Sequence, residues 1–299
     1  MKKNILITGA EGFIARNLSK YLNKRKFNLY GIGNKKFQHN VSKKFGYKSL
    51  INNKIHTNIL LKYFKEIDIV IHCAGSGFVN NTKIVNYHKN YLTTKYLIDY
   101  VKKLKKKPVI IFLSSYSVYA YLRNKKIKEK TKLKPSSYYG LTKLKSEKLI
   151  ISNAKKFQFD YKILRIASIY GNGLTKQLFF DACKKISMND GFFLGTGNEI
   201  RDWLHIEDFC KLVYKIIKSK NNIKIINCGS GLGFSVKEIL NYIIKNFNKN
   251  LKINFQNKSN SPKFLVLNNN LAKKFNWHPK TKIYTGLKNY IIWYKKNYD

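Results

Sequence analysis

Asn4-Ile5-Leu6-Ile7 is a short apolar run followed at once by Thr8-Gly9-Ala10-Glu11-Gly12-Phe13-Ile14-Ala15, and a helical pattern continues through Arg16-Asn17-Leu18 to Tyr21-Leu22. Strand, glycine turn and helix in this order form the opening unit of a dinucleotide-binding α/β fold, which constrains the rest of the chain to a parallel sheet wrapped by helices. Gly9 permits the tight turn, Gly12 lets the backbone approach a pyrophosphate, and the helix N-terminus favours its negative charge. Ala15 stands at the third glycine position, where close helix–sheet packing is the main demand.

The second strand is expected over Phe27-Asn28-Leu29-Tyr30-Gly31-Ile32. Folds that bind NAD usually end this strand with an acid that bonds the adenosine ribose hydroxyls. Here Gly33-Asn34-Lys35-Lys36 offers none, and the lysines suit a 2′-phosphate, so NADP is slightly favoured over NAD. Asp68 to Gly75 reads as a buried strand running into a small-residue turn, where Ala74 and Gly75 let a cofactor lie close. His72 in that strand reads as a satisfied core histidine. Asn90 opens an amphipathic helix to about Lys105 and is placed to bond neighbouring backbone.

Pro108 to Leu113 is the next strand, ending in Ser114-Ser115-Tyr116-Ser117-Val118-Tyr119. Hydroxyls at a strand's carboxyl end lie in the ligand crevice of an open parallel sheet. Downstream, Tyr139 and Lys143 stand one helical turn apart at a helix start, so both fall on one face. A lysine ammonium beside a tyrosine favours the phenolate and moves its pKa down toward the working range. In so lysine-rich a chain this spacing also arises by chance. Ser115 supplies a third group that a strand end and a helix start bring to one site.

The net charge of +44 over 299 residues suggests a nucleic-acid binder. The kind of charge argues otherwise, because arginine appears only at Arg16, Arg25, Arg123, Arg165 and Arg201. Nucleic-acid readers lean on arginine for bidentate contacts. Lysine here rises together with Asn, Ile, Tyr and Phe and is scattered along the chain, so no specific nucleic-acid partner is expected. Cys73, Cys183, Cys210 and Cys228 are far apart and form neither a metal pattern nor a disulfide framework; no metal is expected. No apolar run reaches the ~20 residues of a membrane span, and no signal peptide is read, so a cytoplasmic location is expected.

The chain resembles the extended short-chain dehydrogenase/reductases acting on nucleotide-sugars, the epimerase/dehydratase group. The resemblance rests on Thr8-Gly9-x-x-Gly12-x-x-Ala15, Asp68-x-x-Ile71-His72-x-Ala74, Ser114-Ser115-x-x-Val118-Tyr119 and Tyr139-x-x-x-Lys143. It continues through Leu164-Arg165-x-x-Ser168-Ile169-Tyr170-Gly171, Arg201 to Asp208, Asn227 to Gly231, and Asn276 to Thr281.

This resemblance implies a doubly wound parallel (Rossmann) sheet with a smaller C-terminal α/β substrate domain. The division expected is residues 1–170 and 171–299, with 198–230 returning to the first domain. It assigns the catalytic roles to Ser115, Tyr139 and Lys143. Cofactor contacts are expected from Gly9, Gly12, Phe13, Ile14, Asn34, Lys35, Ala74, Gly75, Asn90 and Ser114, with Tyr139 and Lys143. A nucleotide-diphosphate sugar is expected on Ser115, Ser117, Ser168, Arg201 and Lys263. Ser168 departs from the asparagine, and Asn172 from the proline, that many relatives carry. Dehydratases of the group carry an Asp-Glu pair where this chain has Tyr116 and Ser117, so 4,6-dehydration is not expected. A 4-epimerase is expected, the alternatives being an NADP-dependent 4-keto-6-deoxysugar reductase and a non-catalytic NAD(P)-sensing protein. Cell-surface polysaccharide biosynthesis is the implied setting, and a homodimer paired through helices near 88–105 and 139–156 the implied assembly.

Overall fold

A computed structural model describes residues 2–34, 44–76, 84–120, 125–256 and 263–299, with 84–86 described in backbone alone. The chain divides into two compact units. The first comprises residues 1–120, 132–165 and 216–226; the second comprises 121–131, 166–215 and 227–299. Of the segment 198–230 expected to return, 216–226 clusters with the first unit and the remainder with the second.

The first unit alternates strand and helix. Its elements are β1 (Asn4–Thr8), α1 (Phe13–Asn23), β2 (Asn28–Gly33), β3 (Ser49–Asn52), α2 (Thr57–Tyr63), β4 (Ile69–His72), α3 (Ile84–Lys103), β5 (Val109–Ser115), α4 (Tyr138–Phe157) and β6 (Tyr161–Ile166). The second unit carries β7 (Ser168–Tyr170), α5 (Gln177–Ser187), β8 (Phe192–Leu194), β9 (Ile200–Arg201), β10 (Trp203–His205) and α6 (Ile206–Lys218). It continues with β11 (Ile225–Cys228), β12 (Phe234–Ser235), α7 (Val236–Asn246), β13 (Asn254–Gln256), β14 (Phe264–Leu265), α8 (Asn270–Lys273) and α9 (Ile283–Tyr298). Unit boundaries cut within α6 and β11.

The central seven-stranded parallel sheet runs β11-β6-β5-β4-β1-β2-β3, the doubly wound order in which the chain reverses direction across β1 and β4. In register, Thr8 lies opposite both His72 of β4 and Ile32 of β2. The strands read as apolar runs because both sheet faces are covered; Ile5, Leu6, Ile7, Val70, Ile71, Ile110 and Ile111 are all buried. On one face Leu97, Tyr100 and Val101 of α3 and Ile150 and Ala154 of α4 pack with Leu6, Val70, Ile110 and Phe112. Among the described residues no helix is long and apolar enough to cross a membrane.

The helix expected to open at Asn90 begins earlier, at Ile84. Asn90 therefore sits inside α3, on its inner side, where burial demands that its amide be bonded.

In the second unit, β7 pairs with β10, β13 pairs with β8, and β9 lies between β12 and β14. Trp277 fixes the C-terminal segment to α6 by donating its indole N–H to the Asp208 carbonyl at 2.8 Å. Tyr290 of α9 bonds the Leu174 carbonyl at 2.6 Å.

Candidate active site

The glycine turn is the first component. Gly9 has φ +66°, a left-handed conformation, and a Cβ there would come within 2.8 Å of the Ala74 Cα in the turn after β4. Gly12 has an ordinary φ of −69° and is the N-cap of α1. Its lack of a side chain matters for clearance: it is exposed, and an added Cβ would meet only the Gly9 carbonyl oxygen, at 3.1 Å. Phe13 and Ile14 follow in the first turn of α1, half-buried, and that turn holds no acidic residue. The exposed helix N-terminus and bare glycine suit a dinucleotide pyrophosphate.

Small residues continue the cradle along β4. Ala74 is buried, and Gly75 takes φ +144°, with an added Cβ 2.9 Å from the Asn90 Oδ1. Asn90 clamps this turn at both backbone groups, accepting from Ser76 N at 2.7 Å and donating to the Ser76 carbonyl at 3.1 Å. Its amide thus shapes the turn through the backbone. His72 is fully buried between Thr8 Oγ1 at 2.7 Å and Thr94 Oγ1 at 3.1 Å, and burial pushes its pKa down to about 3. It is a neutral, hydrogen-bonded core histidine.

The second component is built where β5 ends and α4 begins. Ser115 closes β5 and caps a short 3₁₀ turn, Tyr116–Val118, its hydroxyl accepting from Ser117 N at 3.1 Å. The Ser115 hydroxyl also donates to Ser117 Oγ at 3.1 Å. Helix α4 is capped by Ser137, whose hydroxyl accepts from Gly140 N at 3.1 Å. Gly140 lets the helix press against the 3₁₀ turn, because any side chain there would collide with the Ser117 carbonyl. Tyr139 and Lys143 therefore reach the end of β5 from the first turns of α4. The Lys143 ammonium, buried, donates to the Leu113 carbonyl at 2.7 Å and lies 5.8 Å from the Tyr139 ring centroid. A hydrogen bond joins Tyr139 to Ser115, and Tyr87 of α3 packs edge-on to the Tyr139 ring at 5.8 Å.

The electrostatics differ from the sequence expectation. Tyr139 is pushed up to about 12, not down: desolvation outweighs the Ser115 hydrogen bond, although the residue as a whole is only half-buried. Lys143 does not bring it down, since its ammonium is spent on a backbone carbonyl and is itself pushed down to about 8 by burial. Cys73 and Glu147 pull Lys143 in the opposite direction.

Ser114 turns its hydroxyl away from solvent and donates to Glu147. Glu147 also takes the fork of Arg165, with Nη2 to Oε2 at 2.7 Å and Nε to Oε1 at 3.1 Å. Arg165 Nη1 donates to the Tyr119 hydroxyl at 3.0 Å. Serine, carboxylate, guanidinium and phenol form one buried network under the end of β5. The Ser114 proton is committed to this network, so toward a cofactor its hydroxyl offers acceptor lone pairs alone. Glu147 was missed by the sequence reading. The signal was present, since Tyr139, Lys143 and Glu147 recur at one helical turn on a single face, in a chain with only 15 acids.

Asn34 follows β2 directly and is exposed. Lys35 and Lys36 lie outside the described residues. Glu11, between the two glycines, is a second missed acid; its Oε1 accepts from Asn34 N at 3.4 Å.

The remaining expected residues lie in the second unit. Arg201 ends β9, its Nη1 donating to the Ile200 carbonyl at 3.0 Å. Lys263 is exposed just before β14, and its carbonyl accepts from Ile200 N at 2.8 Å, so Arg201 and Lys263 share one small sheet. Ser168 opens β7 opposite Trp203. Gly195-Thr196-Gly197 is a turn closed by Glu199, which accepts from Thr196 N at 2.9 Å.

Residues 5–229 match the model of the NAD dependent epimerase/dehydratase family. The chain is 27% identical to a UDP-glucose 4-epimerase of Mycoplasma genitalium over 91% of its length and 90% of that protein. It is 29% identical to a dTDP-D-glucose 4,6-dehydratase of Dictyostelium discoideum over 81% of its length and 62% of that protein. Among solved structures, a UDP-glucuronic acid 4-epimerase variant from Bacillus cereus, crystallised with UDP-4-deoxy-4-fluoro-glucuronic acid and NAD, superposes with a TM-score of 0.89 at 25% identity. That superposition covers 99% of this chain and all of the other. With more than half its residues inside the family model, and with the strand order, glycine turn and Ser115–Tyr139–Lys143 cluster described above, the chain belongs to the NAD dependent epimerase/dehydratase family.

Proposed function

We propose that the protein is a nucleotide-sugar 4-epimerase using a bound nicotinamide dinucleotide. The observation that carries this reading is the meeting of Ser115, Tyr139 and Lys143 at the carboxyl end of β5 in the same unit as the glycine turn. The cofactor, held by Gly9, Gly12, Phe13, Ile14, Ala74 and Gly75, supplies a hydride acceptor and donor at the sugar carbon. Ser115 orients the sugar oxygen by hydrogen bond. As hydride leaves C4, Tyr139 in its phenolate form takes the C4 hydroxyl proton, and as hydride returns to the other face it gives that proton back to the keto oxygen; burial, which favours the protonated phenol, assists the second half. Lys143 holds positive charge beside Tyr139, and the two ammonium donors not used on the Leu113 carbonyl support a proposed bond to the nicotinamide ribose.

Tyr116 and Ser117 stand where an acid pair would be needed to eliminate water, which supports epimerisation over 4,6-dehydration. For the nucleotide diphosphate we propose Arg201, whose planar fork matches phosphate oxygens, with Ser168 and Lys263. We further propose a cytoplasmic homodimer paired through α3 and α4.

The reaction is tested by incubating the protein with UDP-, GDP- and dTDP-sugars without added cofactor and reading products by NMR. The 4-epimer of one sugar is expected, and Tyr139→Phe should abolish its formation. Turnover that appears only with stoichiometric NADPH would overturn the epimerase in favour of a reductase.

A further inference from the structure

Glu11 is the only acidic residue among the first 65 of the chain, and it sits between Gly9 and Gly12. A carboxylate beside a pyrophosphate cradle is electrostatically misplaced unless it faces something else. Its Oε1 faces the first backbone N–H beyond β2, that of Asn34, at 3.4 Å. Its Oε2 is buried and finds no hydrogen-bond partner among the described residues. A buried carboxylate oxygen left unpaired is costly, and such an atom at a ligand site calls for a donor from the ligand.

The place it occupies is informative. In dinucleotide folds the end of β2 is where an acid accepts hydrogen bonds from the adenosine ribose hydroxyls. Here β2 ends Tyr30-Gly31-Ile32-Gly33, then Asn34, without an acid. Glu11 reaches the same strand end from the glycine turn, which Ala10 N ties to β2 by donating to the Ile32 carbonyl at 3.1 Å.

We propose that Glu11 is the acid that binds the adenosine ribose and selects NAD over its 2′-phosphorylated form. This rests on the dinucleotide-binding reading of the fold. A ribose hydroxyl donates to Oε2 and satisfies it, whereas a 2′-phosphate brings a second anion against the carboxylate. The preference for NADP suggested by the missing β2 acid is thereby reversed.

The test is direct binding, not turnover. NADH and NADPH are titrated into the full-length protein and followed by nicotinamide fluorescence, for wild type and for Glu11→Gln, with a thermal midpoint recorded for each. Wild type is expected to bind NADH roughly 100-fold more tightly than NADPH, and Glu11→Gln to narrow the ratio to about 10-fold or less. A wild type that prefers NADPH overturns the proposal even if the variant fails to fold, and would speak for Lys35 and Lys36. A folded Glu11→Gln protein with an unchanged ratio overturns it as well. Failure of wild type to bind either dinucleotide would sink the cofactor reading itself.

Discussion

The Glu147–Arg165 pair allows a quantitative test of what holds the catalytic strand end. Both side chains are almost fully buried, at 1% and 2% exposure, and they meet in a bidentate fork. Removing one partner from such a pair strands a charge in the interior and costs about 3–5 kcal/mol. Glu147→Gln and Arg165→Met are each expected to destabilise by that amount. At roughly 2–4 °C per kcal/mol in a folding unit of this size, each should lower the thermal midpoint by about 10 °C. The double variant removes both charges together. What is lost with the charges is chiefly the bond to the Tyr119 hydroxyl, with a neutral amide still near Ser114, so the double should cost only about 1–3 kcal/mol. The double-mutant cycle thus predicts strong non-additivity, with the double more stable than either single. Unfolding is followed by circular dichroism at fixed pH, with urea titration as the second measure. Additive costs would refute the reasoning, because they would mean that the two charges do not depend on one another.

The remaining expectations concern the turn and two buried bases. Gly9→Ala places a side chain at φ +66° and 2.8 Å from backbone, so it should cost about 2 kcal/mol or more and weaken dinucleotide binding; an unchanged urea midpoint would refute the close approach. Lys143 has its folded pKa lowered to about 8, whereas an unfolded lysine titrates near 10.4. Its charge is a cost to the fold that is fully present below about pH 8 and relieved as pH rises from there toward about 10.4, the unfolded chain holding the proton longer. That gap is worth on the order of 3 kcal/mol, so wild type should gain stability relative to Lys143→Met across this window; parallel profiles would contradict it. His72, lowered to about 3, binds its proton only after unfolding between that value and about 6.5. Stability should therefore fall on acidification below about pH 6.5, less steeply in His72→Gln, as read from urea midpoints at successive pH values.

The order of elements was legible because each buried parallel strand is a continuous apolar run stopped by a glycine or serine turn. Asn4–Thr8, Ile69–His72 and Val109–Ser115 all lie within or beside the runs read from sequence. The start of α4 was legible for a local reason too, since Ser137 caps the helix that carries Tyr139. Burial was not legible. The sequence puts a lysine beside a tyrosine, and elementary electrostatics then lowers the phenol pKa. In the fold Lys143 is drawn to the Leu113 carbonyl and desolvation takes the phenol the other way. Ser114 illustrates the same limit. A serine at a strand end reads as a ligand group, but its direction is set by Glu147, thirty-three residues away on a neighbouring helix.

With 15 acids against 59 lysines and arginines, the chain has no shortage of surface partners for a carboxylate, and burying one must be compensated from within. Glu147 has its guanidinium and Ser114. Asp202 is surrounded by Ser230 N at 2.8 Å, Ser230 Oγ at 2.6 Å, Gly231 N at 3.1 Å and Leu267 N at 3.2 Å. Asp208 accepts from Thr281 N at 2.9 Å, and Glu199 from Thr196 N at 2.9 Å. Each of these positions a loop or a strand end, and each has its donors in the protein. Glu11 breaks the pattern, holding among the described residues the one carboxylate oxygen that is buried without a donor. It does so in the glycine turn proposed to hold the dinucleotide, which is why the missing donor is assigned to the ribose and not to the fold.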